Sequence, residues 1–161
     1  MGIRFRELKE KDIRKVISMF SNLNKERVEV SFVEIASMEE IRNWITNPDT
    51  FVYVAADGDV ISAVLRAKRG SGNKKHSCNL TVAVDYSFRG NSIAKDLTEY
   101  GLQQLKNEGI SIVRAYIYSN NKSSINTILS CGFNFAGNVH MHHFDEKAER
   151  YVDDLIFHKV L

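Results

Sequence analysis

Proline occurs once in this 161-residue chain and cysteine twice, and no apolar run is long enough to cross a bilayer. Each scarcity closes off a class of protein. Cys78 and Cys131 form no Cys-x-x-Cys pair and give no disulfide framework, so the chain does not read as a stapled secreted scaffold. No leader with a charged start, an apolar centre and small residues is read, and no internal repeat or low-complexity segment, so a cytoplasmic protein is expected. Lys and Arg number 22 against 20 Asp and Glu, a formal charge of +2 that argues for neither a nucleic-acid nor a membrane partner. What is present is ordinary: 43% apolar and 26% charged residues. That composition and length fit one globular domain over residues 1–161, able to bury about two-thirds of its unfolded surface.

Periodicity and punctuation predict the elements. Ile3 to Phe5 reads as a short strand. Asp12 is expected to N-cap a helix with Ile13, Val16, Ile17 and Phe20 on one face. Ser37-Met38-Glu39-Glu40 has the form of a capping box and opens a helix through Trp44, ended by Asn47-Pro48-Asp49. Phe51 to Ala55 and Val60 to Ala67 are strands across an Asp57-Gly58-Asp59 hairpin. The basic loop from Lys68 to Lys75 reads as a mobile solvated turn in preference to a functional patch. Strand 77–84 follows, then a helix carrying Ile93, Leu97, Tyr100 and Leu105 and stopped by Gly109. Ile112 to Tyr118 is a strand and Lys122 to Ser130 a helix stopped by Gly132. Phe135 to Phe144 and Tyr151 to Val160 complete the order as two strands.

The stretch with most chemical content is Val82-Ala83-Val84-Asp85-Tyr86-Ser87-Phe88-Arg89-Gly90-Asn91-Ser92-Ile93-Ala94-Lys95. A strand feeding a tight loop into a helix leaves several backbone N–H groups without partners at the positive end of the helix dipole. Such a place suits a phosphate, and Arg89 adds a charge beside it. The strands flanking the helix make a βαβ crossover and therefore run parallel, and ligands in open α/β sheets sit at the carboxyl ends of such strands.

This segment resembles the acyl-CoA-binding motif of the GNAT superfamily of N-acetyltransferases: Arg or Gln, two residues, Gly, one residue, then Gly or Ala. Arg89 and Ala94 match, while Ser92 stands at the middle glycine. Asn121 and Gly132-Phe133 hold the family's second spacing, so the resemblance spans nearly the whole chain. The closing Tyr151 to Ile156 is similar to the last strand of phosphinothricin-type, small-amine acetyltransferases. The resemblance implies a single-domain α/β (α+β) GNAT fold. Its sheet would be mixed and mostly antiparallel, of about seven strands with a central splayed parallel pair, flanked by about four helices.

It also implies transfer of an acetyl group from acetyl-CoA to a primary amine, that of a small molecule in the first reading, by direct attack in a ternary complex. A protein N-terminus or lysine as acceptor, or an acyl-CoA sensor with little turnover, are the alternatives. Acetyl-CoA would be a co-substrate, with no metal, and a homodimer is compatible with the apolar last strands. On this reading the pyrophosphate lies on Arg89, Gly90, Asn91, Ser92, Ile93, Ala94 and Lys95. The pantetheine arm pairs with Val82 and Val84 as an added strand. Asn121, with Ser124 beside it at the helix start, contacts the thiol end.

Ser92 either caps the helix, donates to a phosphate, or both. The position where many members carry the tyrosine that protonates the thiolate is Ile128, so Tyr116 or Tyr118 would substitute, and of these Tyr118 is the candidate acid. His76 and Asp85 are the candidate bases. Glu29 and Glu34 fall in the segment that lines the acceptor pocket in relatives. Other residues carry less. His140 and His142 share a strand face but lack a third ligand, so no metal site is expected. Cys78 and Cys131 read as buried, and only one of Asp153 and Asp154 can face the pocket.

Overall fold

Alternation along the strands sorts side chains into two cores, one on each face of a single sheet. In this computed structural model, which describes residues 2–25 and 37–161, the sheet has seven strands in the order β1-β2-β3-β4-β5-β7-β6. They are β1 (Arg4–Glu7), β2 (Thr50–Asp57), β3 (Val60–Arg69), β4 (Ser77–Val84), β5 (Ile112–Tyr118), β6 (Asn134–Asp145) and β7 (Arg150–Val160). Four α-helices accompany them: α1 (Ile13–Lys25), α2 (Met38–Thr46), α3 (Ile93–Asn107) and α4 (Lys122–Ser130). Every strand pair is antiparallel except β4 with β5. This is the mixed sheet with one central parallel pair that the element order implied.

On one face Tyr53, Leu65, Cys78, Leu80, Val113 and Phe157 pack under α3 and α4. On the other, Val52, Val54, Val64 and Ala83 pack against Val16 and Phe20 of α1 and Ile41 and Trp44 of α2. Each fully buried large aliphatic side chain contributes about 1.5–3 kcal/mol. Gly101 lets α3 lie close: a Cβ there would stand 2.7 Å from Leu65 Cδ1. The helix is thereby held down on β3, and its N-terminus is set at the carboxyl end of β4.

The α1 entry differs from expectation. Asp12 ends a single 3-10 turn (Glu10–Asp12) ahead of α1, and does not sit before the helix as its N-cap. Its carboxylate accepts from Lys9 N–H at 2.9 Å and from both Arg6 nitrogens at 2.7 and 3.0 Å. Neighbouring β1 supplies Arg6, a partner the local sequence does not announce. Ser37 does cap α2, accepting from Glu40 N–H at 3.2 Å. Loop 70–76 is closed on itself by Gly70 N–H to Ser77 O and Ser77 Oγ to Lys74 O, at 2.9 and 2.8 Å. The proposed acceptor residues Glu29 and Glu34 lie outside the described residues. No helix among the described residues is long and apolar enough to cross a membrane.

Candidate functional site

Parallel pairing between β4 and β5 runs only over Ser77–Asn79 and Ile112–Arg114. Beyond those residues β4 stays on β3 and β5 stays on β7, so the two strands part toward their carboxyl ends. Backbone direction follows from two hydrogen bonds. Asp85 N–H donates to Ser62 O at 2.9 Å, and Ile112 N–H donates to His76 O at 3.3 Å. Alternation from either one turns the odd residues of β4 toward β3 and the even ones toward β5. Val82 and Val84 therefore aim their N–H and C=O groups into the gap.

The gap opens onto the loop after β4. Asp85 accepts from Ser87 N–H at 2.9 Å and starts a 3-10 turn, Tyr86–Phe88. Arg89 is extended, and its guanidinium lies 5.3 Å from the Tyr86 ring centroid. Gly90 and Ser92 are both left-handed, with φ of +78° and +59°. The first helical bond of α3 runs from Asp96 N–H to Ser92 O at 2.9 Å. Among the described residues, the N–H groups of Gly90, Asn91, Ser92, Ile93, Ala94 and Lys95 have no protein acceptor. A run of converging donors at a helix start is an anion cradle. Ser92 occupies the cap position without a side-chain cap bond, so its hydroxyl is not spent on the helix. It adopts a backbone conformation that costs a non-glycine residue about 1–2 kcal/mol.

Asn121 lies across the gap, at the start of α4. Its Oδ1 accepts from Ser124 N–H at 3.2 Å, which leaves its amide nitrogen as the group able to donate. Ile128 is 5% exposed in the core with α3, and nothing at that position can give a proton.

The three candidate catalytic residues part company. His76 sits at the start of β4, exposed, at the closed end of the parallel pair. The length of β4 separates it from Val84 by about 25 Å. Asp85 lies at the open end but its carboxylate is engaged in the Asx turn. Tyr118 closes β5 at the open end, and its side chain faces away from α3 because Val113 and Ala115 take the α3 face. Tyr116 shares that face and is 49% exposed.

Around Tyr118 the structure gathers residues that periodicity had kept apart. β6 carries a bulge: its register on β7 slips between Val139 and His143, and Met141 has φ +50°. His140 and His142 are thus not simple same-face neighbours. The His142 and His143 rings lie 6.3 and 4.1 Å from the Tyr118 ring. Directly across from Tyr118 on β7 is Asp154. One carboxylate oxygen of Asp154 is buried with no hydrogen-bond partner. Burial raises its carboxyl above the ordinary carboxylate value, and His142 and His143 only partly oppose this.

Asp153, one residue away, points to the opposite face. It accepts from Met141 N–H at 2.8 Å, from Asn138 Nδ2 at 2.8 Å, and pairs with His140 Nδ1 at 3.0 Å. It holds the bulge. The sequence signal for Asp154 was weak, since a pair of adjacent aspartates on a strand does not tell which one faces inward.

Two other features stand apart. Burial pushes the Cys78 thiol up to about 12, so at neutral pH it is no nucleophile. A cavity of about 300 Å³ between α2 and β3, lined by Glu40, Trp44, Lys68 and Arg69, lies on the far side of the sheet from the loop after β4. No group of three or more metal-ligating side chains occurs among the described residues.

Comparison with known proteins gives the frame for these features. A family model described as the acetyltransferase (GNAT) family matches residues 17–133. No curated protein matches the sequence. Among solved structures, a GNAT-family acetyltransferase from Streptococcus pneumoniae superposes with a TM-score of 0.88 at 14% identity, covering 99% of this chain and 100% of that one. A putative acetyltransferase from Salmonella typhimurium, solved with its cofactor acetyl-CoA, gives 0.87 at 15% identity, covering 100% and 95%. A putative phosphinothricin N-acetyltransferase gives 0.83 at 19% identity, covering 99% of each chain. At these identities the likeness speaks for the fold, and the family model speaks for descent. The chain belongs to the GNAT family of acetyltransferases.

Proposed function

We propose that this protein transfers an acetyl group from acetyl-CoA to a primary amine of a small molecule, by direct attack within a ternary complex. The observation that carries this reading is the continuity between the gap beside Val82–Val84 and the six unpartnered N–H groups of Gly90 to Lys95. An extended amide-rich arm ending in a pyrophosphate matches that pair of features: the arm adds to the β4 edge, and the phosphates take the N–H groups with Arg89 beside them. The Val84 N–H is then the donor for the thioester oxygen as it gains charge during attack. The Asn121 amide nitrogen steadies the thiol end of the arm. Tyr118, which closes β5 at the open end of the gap, is the acid for the departing sulfur. A thiol of pKa about 8.5 leaves readily, so this acid assists the reaction without being essential to it.

A cytoplasmic location and a homodimer belong to the same reading. The dimer would use β6, the outer strand of the sheet, which exposes Phe135, Val139 and Phe144.

Titration calorimetry with acetyl-CoA, followed by thiol release with a panel of primary amines, tests the proposal. Binding with amine-dependent thiol release is the expected result. Binding without release from any amine would point instead to an acyl-CoA sensor or a protein acceptor. Absence of binding would overturn the reading.

A further inference from the structure

On the face of the sheet turned away from α3, Asp154 keeps a buried carboxylate oxygen with no partner, and the chain has arranged three ring side chains about it. Tyr118 of β5 is its cross-strand partner, and His142 and His143 of β6 complete the surround through the bulge at Met141. The bulge is itself costly, since a left-handed methionine is strained, and Asp153 is committed entirely to keeping it. A buried oxygen with no partner is costly as well. Two costs at one place, next to the open end of the β4–β5 gap, mark a site that is completed by a ligand donor.

We propose that Asp154 binds the ammonium group of the acceptor and takes up its proton, with Tyr118, His142 and His143 forming the aromatic wall that seats a cationic amine. The inference rests on the acetyl-transfer reading above. An N–H bond of the ammonium breaks and an O–H bond forms on Asp154. The freed nitrogen lone pair attacks the thioester carbon, a C–N bond forms, and the C–S bond breaks with its electron pair on sulfur. The thiolate takes a proton from Tyr118, which recovers it from the second nitrogen N–H, and Asp154 returns its own to water. The net products are amide, thiol and one proton. The groups facing Asp154 are Tyr118 from β5 and the two histidines from β6, and rings place π-faces near a cation. The raised proton affinity of this carboxyl favours the uptake.

The test compares wild type with Asp154→Asn in thiol release from ethanolamine, benzylamine and lysine, with acetyl-CoA affinity measured in parallel. The expected result is a loss of about 100-fold in kcat/KM for the amine. The acidic limb of its pH profile should also move up to the range where the free amine loses its own proton, with acetyl-CoA affinity within twofold of wild type. A kcat/KM within threefold of wild type, or an acidic limb that stays at its wild-type position, overturns the proposal. A second measurement follows the side-chain carboxyl ¹³C resonance of Asp154 in the wild-type protein saturated with acetyl-CoA as each amine is added. Movement of Asp154 without Asp153 supports the assignment, and no movement with any amine overturns it. Failure of wild type to bind acetyl-CoA would instead sink the acetyl-transfer reading, so the two failures are told apart.

Discussion

Ser92, after β4, and Met141, on the edge strand β6, are both non-glycine residues in the left-handed region, and the two places are built on opposite principles. At Ser92 (φ +59°) the backbone is bent so that main-chain N–H groups converge, and side chains contribute little beyond Arg89. At Met141 (φ +50°) the backbone is bent so that side chains converge, and the main chain is tied off by Asp153. A phosphate carries fixed charge and many acceptors, which suits repeated N–H donors. An amine must be recognised, desolvated and relieved of a proton, which calls for a titrating side chain. On the proposed function, the cofactor end is then made of backbone and the acceptor end of side chains.

The largest effect expected from perturbing this arrangement lies in the scaffold that both ends share. Arg6→Ala leaves the buried carboxylate of Asp12, 1% exposed, without its guanidinium, and should cost about 3 kcal/mol in urea unfolding at pH 7. Burial pushes the Asp12 carboxyl up, but the Arg6 and Lys9 hydrogen bonds outweigh it and hold it below the ordinary value. A depressed carboxyl stabilises the fold above its unfolded value of about 4, and that contribution is lost as pH falls through the folded value. The gap between wild type and Arg6→Ala should therefore close as unfolding is measured below about pH 4. A gap independent of pH would show that Arg6 acts by packing alone.

Arg89→Ala should weaken acetyl-CoA binding by about tenfold or more, read by calorimetry, while leaving the KM for the amine unchanged. His143→Ala should do the reverse, lowering kcat/KM for the amine by about tenfold with acetyl-CoA affinity intact. If either variant moves both quantities together, the division between the two ends fails.

The smallest effects come from relieving the strained residues. Ser92→Gly and Met141→Gly should each raise stability by about 0.5–1 kcal/mol, measured by thermal unfolding. They should then diverge. Ser92→Gly keeps or tightens acetyl-CoA binding, whereas Met141→Gly loosens the wall at Tyr118 and slows turnover. Equal behaviour would mean that the bulge has no part in the acceptor end.

Much of the fold was legible because its signals are local. Ile112 to Tyr118 and Lys122 to Ser130 have the bounds that apolar spacing and the flanking Asn and Gly residues predict. The anion cradle was legible too, since a strand, an Arg-Gly turn and a helix start lie within one short stretch. Asp12 was misread as a cap because its real partner, Arg6, comes from a neighbouring strand. His76, a candidate base by its spacing, stands at the closed end of the β4–β5 pair, because spacing along the chain says nothing about which end of a strand faces the gap. Ser92 stands at the cap position, as its sequence neighbours indicate, but it is left-handed there and its hydroxyl makes no cap bond.

The sequence by itself determined the order of elements, the parallel crossover and the donors after β4, because periodicity, caps and turns act over a few residues. Tertiary structure alone decided the splay of β4 from β5, the slip of β6 on β7 and the meeting of Tyr118, His143 and Asp154. These depend on register between strands far apart in sequence, where one inserted residue redirects every side chain that follows.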